Sequence, residues 1–194
     1  MQTERGLQFE TEKDRETLGH VIEKGVAEFL DSGVFDCVEE VEKTTQNSGN
    51  DKKGIDLIVV FSDGSKMAVD ITTASIGSVA AKKLESMNRN PMTMVLEERN
   101  EDGEIVVEKS INLIPRAIIG VNPDKWENYC DEVDNLNHTV LLHMAEEREV
   151  KEKPEIIQKL LGQIEAFSKG NIEYRKKTER IKELLEQELE LIKI

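Results

Sequence analysis

Cysteine and aromatic residues are scarce in this chain of 194 residues, and long apolar runs are missing. The two cysteines, Cys37 and Cys130, are far apart in the sequence. This spacing argues against a disulfide-stapled fold and predicts a reducing compartment, the cytoplasm. No apolar segment approaches the length that spans a bilayer, and residues 1–10 contain no apolar signal core. We therefore predict no membrane association.

Positive charge is also in short supply. The chain has 26 basic and 40 acidic residues, which give a formal net charge of −14. Such a charge repels phosphates and argues against loose, charge-driven binding to nucleic acid. Residues 51–92 depart from this pattern, because they contain six basic and five acidic residues. This nearly neutral segment carries the motif that is most informative about function.

The spacing of apolar residues predicts an α/β protein with a mixed sheet flanked by helices. The predicted helices cover residues 12–31 and 76–88. The predicted strands cover residues 34–43, 55–61, 66–73, 92–98, 104–109 and 117–121. Residues 1–122 form an α/β core in this interpretation, and residues 123–194 form a helical C-terminal region.

Two helices are predicted in the C-terminal region. Pro154 suits the first turn of a helix that ends near Lys169, and Gly170 with Asn171 breaks it. The following helix carries an apolar stripe that needs a partner to cover it, either the preceding helix or a second subunit. We therefore predict contacts of the C-terminal helices with each other, with another protein or in a homodimer. The stripe consists of Ile181, Leu185, Leu189 and Ile192.

The hairpin formed by residues 55–61 and 66–73 contains two aspartates, and its register decides whether they meet. A two-residue turn would place Asp56 and Asp70 on opposite faces of the sheet. A three-residue loop with Gly64 in the left-handed conformation would pair them directly. We favour the second register because it leaves a wholly apolar opposite face. That face consists of Ile55, Leu57, Val59, Met67, Val69 and Ile71.

The segment 54–72 resembles the signature of PD-(D/E)xK nucleases. That signature has a Gly-x-Asp opening a buried strand, a tight turn, and an acidic-x-Lys on the next strand, with a helix before these strands and another after them. Asp56 matches its first aspartate and Asp70 its second acidic residue, whereas Thr72 stands at the position of the lysine. The resemblance covers residues 12–122 and implies a restriction-endonuclease-like fold.

The resemblance also implies a site. Asp56, Asp70 and the backbone carbonyl of Ile71 would bind Mg²⁺ or Mn²⁺, and Glu23 of the first helix would be a further metal-associated carboxylate. The metal would polarise the scissile phosphate and help to generate hydroxide. Thr72 cannot supply the positive charge of the family's lysine. The residues that could replace it are Lys82, Lys83, Lys66, Lys52 and Lys53.

Three interpretations remain open from the sequence. The first is metal-dependent hydrolysis of DNA phosphodiesters, which the pair of aspartates favours. The second is a non-catalytic scaffold or protein-interaction module that keeps the nuclease fold, which the missing lysine and the charge of −14 favour. The third is an unrelated α/β domain in which the motif is a coincidence.

Overall fold

The computed structural model describes residues 12–44, 50, 53–73, 79–101, 104–122, 126 and 138–192. In chain order, its elements are α1 (Glu12–Asp31), β1 (Val38–Lys43), β2 (Leu57–Phe61), β3 (Lys66–Thr72), α2 (Val79–Arg89), β4 (Met92–Glu101), β5 (Glu104–Gly120), α3 (His138–Ser168) and α4 (Ile172–Leu191). The strands form a mixed sheet, with helices before, after and C-terminal to the central hairpin. The predicted α/β class with C-terminal helices is confirmed.

The described strands are ordered β1-β2-β3-β5-β4 in the sheet. Neighbouring strands run antiparallel except for β3 and β5, which run parallel. A parallel pair cannot be joined by a tight turn, because the chain must first return to the opposite end of the sheet. The connection from β3 to β5 passes through α2 and β4. The helix α2 therefore begins soon after the end of β3 that carries Asp70.

The β2–β3 hairpin has the register predicted from its loop. Leu57 pairs with Val69 across the two strands. Gly64 has a φ angle of 79°, which favours glycine, and its amide donates to the carbonyl of Phe61 at 2.7 Å. The amide of Phe61 donates to the carbonyl of Ser65 at 2.8 Å and closes a three-residue loop. The alternative register with a two-residue turn is wrong.

The main hydrophobic core lies on one face of the sheet and combines residues from both ends of the chain. Five of the six residues predicted for the apolar face belong to it: Leu57, Val59, Met67, Val69 and Ile71. Ile55 is the exception, because it packs in a second cluster with Ile58 and Ala68. Ile55 precedes the first residue of β2 and follows Gly54, which has a φ angle of 68°. The alternation of the strand therefore does not extend to Ile55.

Several strand boundaries differ from the prediction, and the largest differences concern the first and the last strands. The first strand begins at Val38 and not at Val34. The amides of Asp36 and Cys37 donate to the carboxylate of Glu188 on α4, at 3.2 and 3.0 Å, instead of to a neighbouring strand. The predicted strands 104–109 and 117–121 are parts of the single strand β5. This strand is continuous because its first part pairs with β4 and its last part pairs with β3.

The position predicted for Pro154 is also wrong. Pro154 lies inside α3 and not in its first turn. A proline within a helix removes one backbone hydrogen bond and crowds the preceding turn. The neighbouring side chains offset this cost, because Lys153, Ile156 and Ile157 are buried on the same stretch of helix. The break at Gly170 and Asn171 is confirmed, since the Asn171 side chain caps α4 by accepting a hydrogen bond from its first turn.

The last part of β5 has no described strand beside it on the side away from β3, and helical side chains bind its backbone there. Gln163 of α3 accepts from the amide of Ile118 at 2.8 Å and donates to its carbonyl at 2.6 Å. Lys159 donates to the carbonyl of Gly120 at 2.6 Å. These bonds satisfy backbone groups that would otherwise be open to another strand.

The apolar stripe of α4 is covered by the chain itself. Ile181 and Leu185 are buried in the main core together with residues of α3, and Leu189 packs against that core. The preceding helix and the sheet are therefore the partners of this stripe. The boundary at residues 122 and 123 stays a prediction. None of the described helices combines the length and apolar character needed to cross a membrane.

Candidate active site

Asp56 and Asp70 lie together at one end of the β2–β3 hairpin. Extending the register by one residue beyond Leu57 brings Asp56 opposite Asp70, so the two side chains share a face. Asp56 also binds the next strand directly, because its Oδ2 accepts a hydrogen bond from the amide of Ile71 at 2.6 Å. Both predicted acidic residues are therefore on the same side of the sheet.

The Asp70 carboxyl is buried, with 4% of its surface exposed. Burial raises the pKa of Asp70 above its usual value, because a low-polarity surrounding disfavours the charged form. The hydrogen bond and the charge of Lys83, the Arg116 guanidinium, and the hydrogen bond shared with the Asp56 side chain each lower this pKa. The net shift is still upward, so these interactions only partly offset the cost of burying the charged Asp70 carboxyl.

Lys83 is the candidate lysine that reaches the aspartates. Its Nζ donates to Asp70 Oδ1 at 2.5 Å, and its side chain is 33% exposed. The position of Lys83 follows from which face of α2 is turned towards the sheet. Met87 lies one turn after Lys83, on the same helix face, and is buried in the same apolar cluster as Ile118 of β5. Ile118 is the register partner of Asp70, so this packing holds the Lys83 face of α2 over the aspartate.

The other candidate lysines have different surroundings. Lys66 is paired with Glu42 at 2.8 Å. Lys53 donates to the carbonyl of Met94 at 2.7 Å. Lys82 is exposed. Lys52 lies outside the described residues.

Glu23 faces the site from α1 and is half-buried. Burial raises the pKa of Glu23, and the negative charge of Asp56 raises it further. The hydrogen bond and charge of His20 lower this pKa, as does the charge of Lys83. The His20 Nδ1 lies 3.1 Å from Glu23 Oε2. Glu23 therefore belongs to the electrostatic surroundings of Asp56 and Lys83, and its hydrogen-bond contact is with histidine.

Thr72 and Ile71 occupy the positions that the motif predicts. Thr72 is 7% exposed and lies two residues beyond Asp70, on the same face of β3. Its carbonyl accepts from the amide of Val121 at 2.9 Å. The amide of Ile71 points to Asp56, and the carbonyl of a strand residue points to the same side as its amide. The Ile71 carbonyl therefore faces the aspartate side of β3.

The backbone geometry at Gly54 explains why the motif begins with glycine. Its φ angle is 68°, a conformation that other residues rarely adopt. A Cβ atom added at this position would lie 3.4 Å from Asp70 Oδ2. The glycine therefore lets the chain turn into β2 close to the buried aspartate.

Arg116 is a site residue that the motif did not reveal. It lies in β5, where it pairs with Ala68, two positions before the pair of Asp70 and Ile118. Its positive charge lowers the pKa of Asp70. The sequence did contain a signal, because Arg116 is a single charge within the apolar stretch 113–121.

The residues fit a sparsely ligated magnesium or manganese site. Asp56 and Asp70 supply adjacent carboxylates, which these hard cations prefer, and Mg²⁺ typically needs only one or two carboxylates besides water. In the part of the chain that the structure describes, no three or more His, Cys, Asp or Glu side chains are grouped to hold a metal ion. The donor set suits a water-rich site and does not suit a cage built entirely from protein ligands.

No protein-family model, curated protein or solved structure matches this chain.

Proposed function

We propose that this protein is a metal-dependent nuclease that hydrolyses DNA phosphodiesters, with Lys83 in the role of the family's strand lysine. The observation that carries the proposal is the 2.5 Å contact between Lys83 Nζ and Asp70 Oδ1. It brings a cation to an aspartate that shares a sheet face with Asp56, although position 72 holds threonine. An acidic pair with an adjacent lysine is the donor set that the resemblance requires.

Each residue has a separate role in this proposal. Asp56, Asp70 and the Ile71 carbonyl would hold Mg²⁺ or Mn²⁺, which when bound would polarise the scissile phosphate and lower the pKa of a water molecule. Lys83 orients that water and stabilises the negative charge that develops on the phosphate. Its side chain is one-third exposed, so the ammonium group has room to turn from Asp70 towards a substrate.

Charge shapes the choice of substrate and the conditions of the assay. The net charge of −14 opposes non-specific binding, so the proposed enzyme engages DNA only around its nearly neutral 51–92 segment. Binding is expected to be weak and to be favoured by low salt. The proposal places the protein in the cytoplasm, where Cys37 stays reduced.

Lys83 and its neighbour Lys82 provide a matched pair of variants for the test. Lys83→Ala is expected to lower Mg²⁺- or Mn²⁺-dependent cleavage roughly 100-fold to 1,000-fold, because one charge stabiliser is lost. Lys82→Ala is the control, since Lys82 is exposed on the same helix, and its rate should stay near that of the wild type.

The assay uses linear, supercoiled and single-stranded DNA with each metal. Asp56→Ala and Asp70→Ala should abolish the activity. If the wild-type protein cleaves none of these substrates, or if Lys83→Ala cleaves as fast as Lys82→Ala, the proposed role is wrong.

A second candidate function is a non-catalytic interaction module. It is favoured by the ion pair itself, because Lys83 already neutralises Asp70 in the place that a metal would take. In this alternative, the partner is another protein or a second copy of the chain bound through the C-terminal helices. Calorimetric titration with Mg²⁺ or Mn²⁺ separates the two candidates. Identical, featureless titrations of the wild type and Asp70→Asn would support the module.

A further inference from the structure

Arg116 occupies the same face of the sheet as the two aspartates. Its register partner on β3 is Ala68, and residues two apart on a strand share a face, so Arg116 lies on the side that carries Asp70. The residue is half-buried. Its charge acts on Asp70 at a distance, while the direct hydrogen bond to Asp70 comes from Lys83. The site therefore has two cations in different roles.

The backbone of Arg116 is held from both sides. Its amide donates to the carbonyl of Pro91 at 2.8 Å. Its carbonyl accepts from the hydroxyl of Tyr174 at 3.1 Å. These bonds involve main-chain atoms of Arg116, so a substitution of its side chain leaves them in place. The backbone position from which the Arg116 side chain extends is therefore held in place.

The Arg116 guanidinium has more N–H donors than it uses among the described residues. Its Nη2 donates a 3.3 Å hydrogen bond to the carbonyl of Lys53, at the segment that leads into the Gly54 turn. Within the described part of the chain, no carboxylate forms an ion pair with Arg116, although the protein has 40 acidic residues. An arginine presents five N–H donors in a planar fork that suits phosphate. A half-buried arginine with one long hydrogen bond is suited to bind an anion from solution.

The geometry points to Arg116 as a phosphate-binding residue that holds a backbone phosphate of DNA beside the aspartates. The choice of phosphate as the ligand rests on the proposed function, because a nuclease site on this face of the sheet binds the phosphates of DNA. Lys83 acts on the phosphate that is cleaved, and Arg116 holds a neighbouring one. A bidentate contact of this kind fixes the position of the strand without reading its sequence.

The test measures binding separately from cleavage. The anisotropy of a fluorescein-labelled single-stranded oligodeoxynucleotide is recorded with Ca²⁺ in place of Mg²⁺, for the wild type and for Arg116→Gln. The variant is expected to bind roughly tenfold more weakly, because a hydrogen-bonded charge is lost. The slope of log affinity against log salt should fall by about 0.7, the value for one phosphate contact on a single strand.

Two further variants serve as controls. Arg175→Gln removes an exposed arginine of α4, and its affinity and salt slope should equal those of the wild type. Arg116→Lys keeps the charge but loses the fork, so its salt slope should be preserved and its affinity should be intermediate. Thermal unfolding of each variant shows whether a loss of affinity reflects a loss of structure.

The outcomes distinguish this inference from the proposed function. If the wild type cleaves DNA while Arg116→Gln keeps its affinity and slope, the inference is wrong and the function stands. If binding depends on Arg116 but no metal supports cleavage, the inference stands and the function falls. A wild type that binds no oligonucleotide overturns the inference. So does an Arg116→Gln variant that loses stability and affinity with an unchanged salt slope.

Discussion

A buried ion pair joins the C-terminal helices to the start of the sheet, and its removal is a sharp test of the fold. Lys153 Nζ of α3 lies 2.5 Å from Glu188 Oε1 of α4, with side-chain exposures of 4% and 2%. Glu188 also accepts hydrogen bonds from the amides of Asp36 and Cys37. Lys153 also donates to the carbonyl of Val34 at 2.6 Å. Three segments of the chain, α3, α4 and residues 34–37, therefore meet at this pair.

Glu188→Ala would remove the Glu188 carboxylate from the buried Lys153 ammonium and from the two amides that donate to it. Breaking a buried pair by removing one partner costs about 3–5 kcal/mol. A domain of this size has a total stability of about 5–15 kcal/mol, so the variant should lose a large fraction of it. At about 2–4 °C per kcal/mol, the unfolding midpoint should fall by about 6–20 °C. Urea and thermal unfolding, followed by circular dichroism, measure both quantities.

Two controls show whether the loss of stability comes from the burial of the ion pair. Glu186→Ala removes an exposed carboxylate that is 3.5 Å from Lys182, and it should cost less than about 1 kcal/mol. The double variant Lys153→Met with Glu188→Leu should recover only part of the stability, because the apolar pair carries no desolvation cost but still leaves the amides of Asp36 and Cys37 without the Glu188 acceptor. If Glu188→Ala is as stable as Glu186→Ala, the packing of α4 on the 34–37 segment is wrong.

The remaining predictions concern the site and the C-terminal helices. Burial raises the pKa of Asp70 in the folded protein, so the ionised carboxyl destabilises the folded state at neutral pH. This cost disappears as the pH falls towards the pKa that Asp70 has in the unfolded chain. Asp70→Asn should therefore unfold at a higher temperature than the wild type at pH 7 and at the same temperature near pH 4; a lower midpoint at pH 7 would contradict this sign. Thr72→Lys should restore metal-dependent cleavage to the Lys83→Ala variant, because position 72 shares the face of Asp70; a double variant as slow as Lys83→Ala would argue against it. Truncation after Val150 removes core residues of α3 and α4, so the shortened chain should lose its cooperative unfolding transition, and retained cooperativity by calorimetry would show that residues 1–150 fold alone.

The hairpin and its two aspartates could be predicted because the relevant signals are local. The Ser-Asp-Gly loop needs a residue with positive φ, and glycine at position 64 supplies it. The alternating pattern then specifies which side chains share a face, so the meeting of Asp56 and Asp70 followed from a few adjacent residues. The same holds for α1 and for the break at Gly170 and Asn171, whose signals lie within a turn or two of the chain.

The choice of Lys83 among the candidate lysines needed one more step. Lys82 and Lys83 are adjacent, so helical spacing alone places them on different faces but does not say which face meets the sheet. Met87 contained the missing information, because the apolar residue one turn after a lysine marks the buried side of the helix. The residue one turn after Lys82 is Ser86, which is exposed. The contact of Lys83 with Asp70 then follows from the burial of Met87 in the cluster that contains Ile118.

The sequence by itself determined the α/β class, the loop of the central hairpin and the shared face of its aspartates, since each depends on backbone preferences and short-range periodicity. Only the tertiary structure decided where β1 begins, how α3 continues through Pro154, and which cations surround Asp70. Glu188 accepts a hydrogen bond from the amide of Cys37, which lies 151 positions away in the chain. Arg116 lies near the aspartates because β5 runs beside β3 and parallel to it. Contacts between residues so distant in sequence leave no local pattern, because they are specified by how whole elements pack.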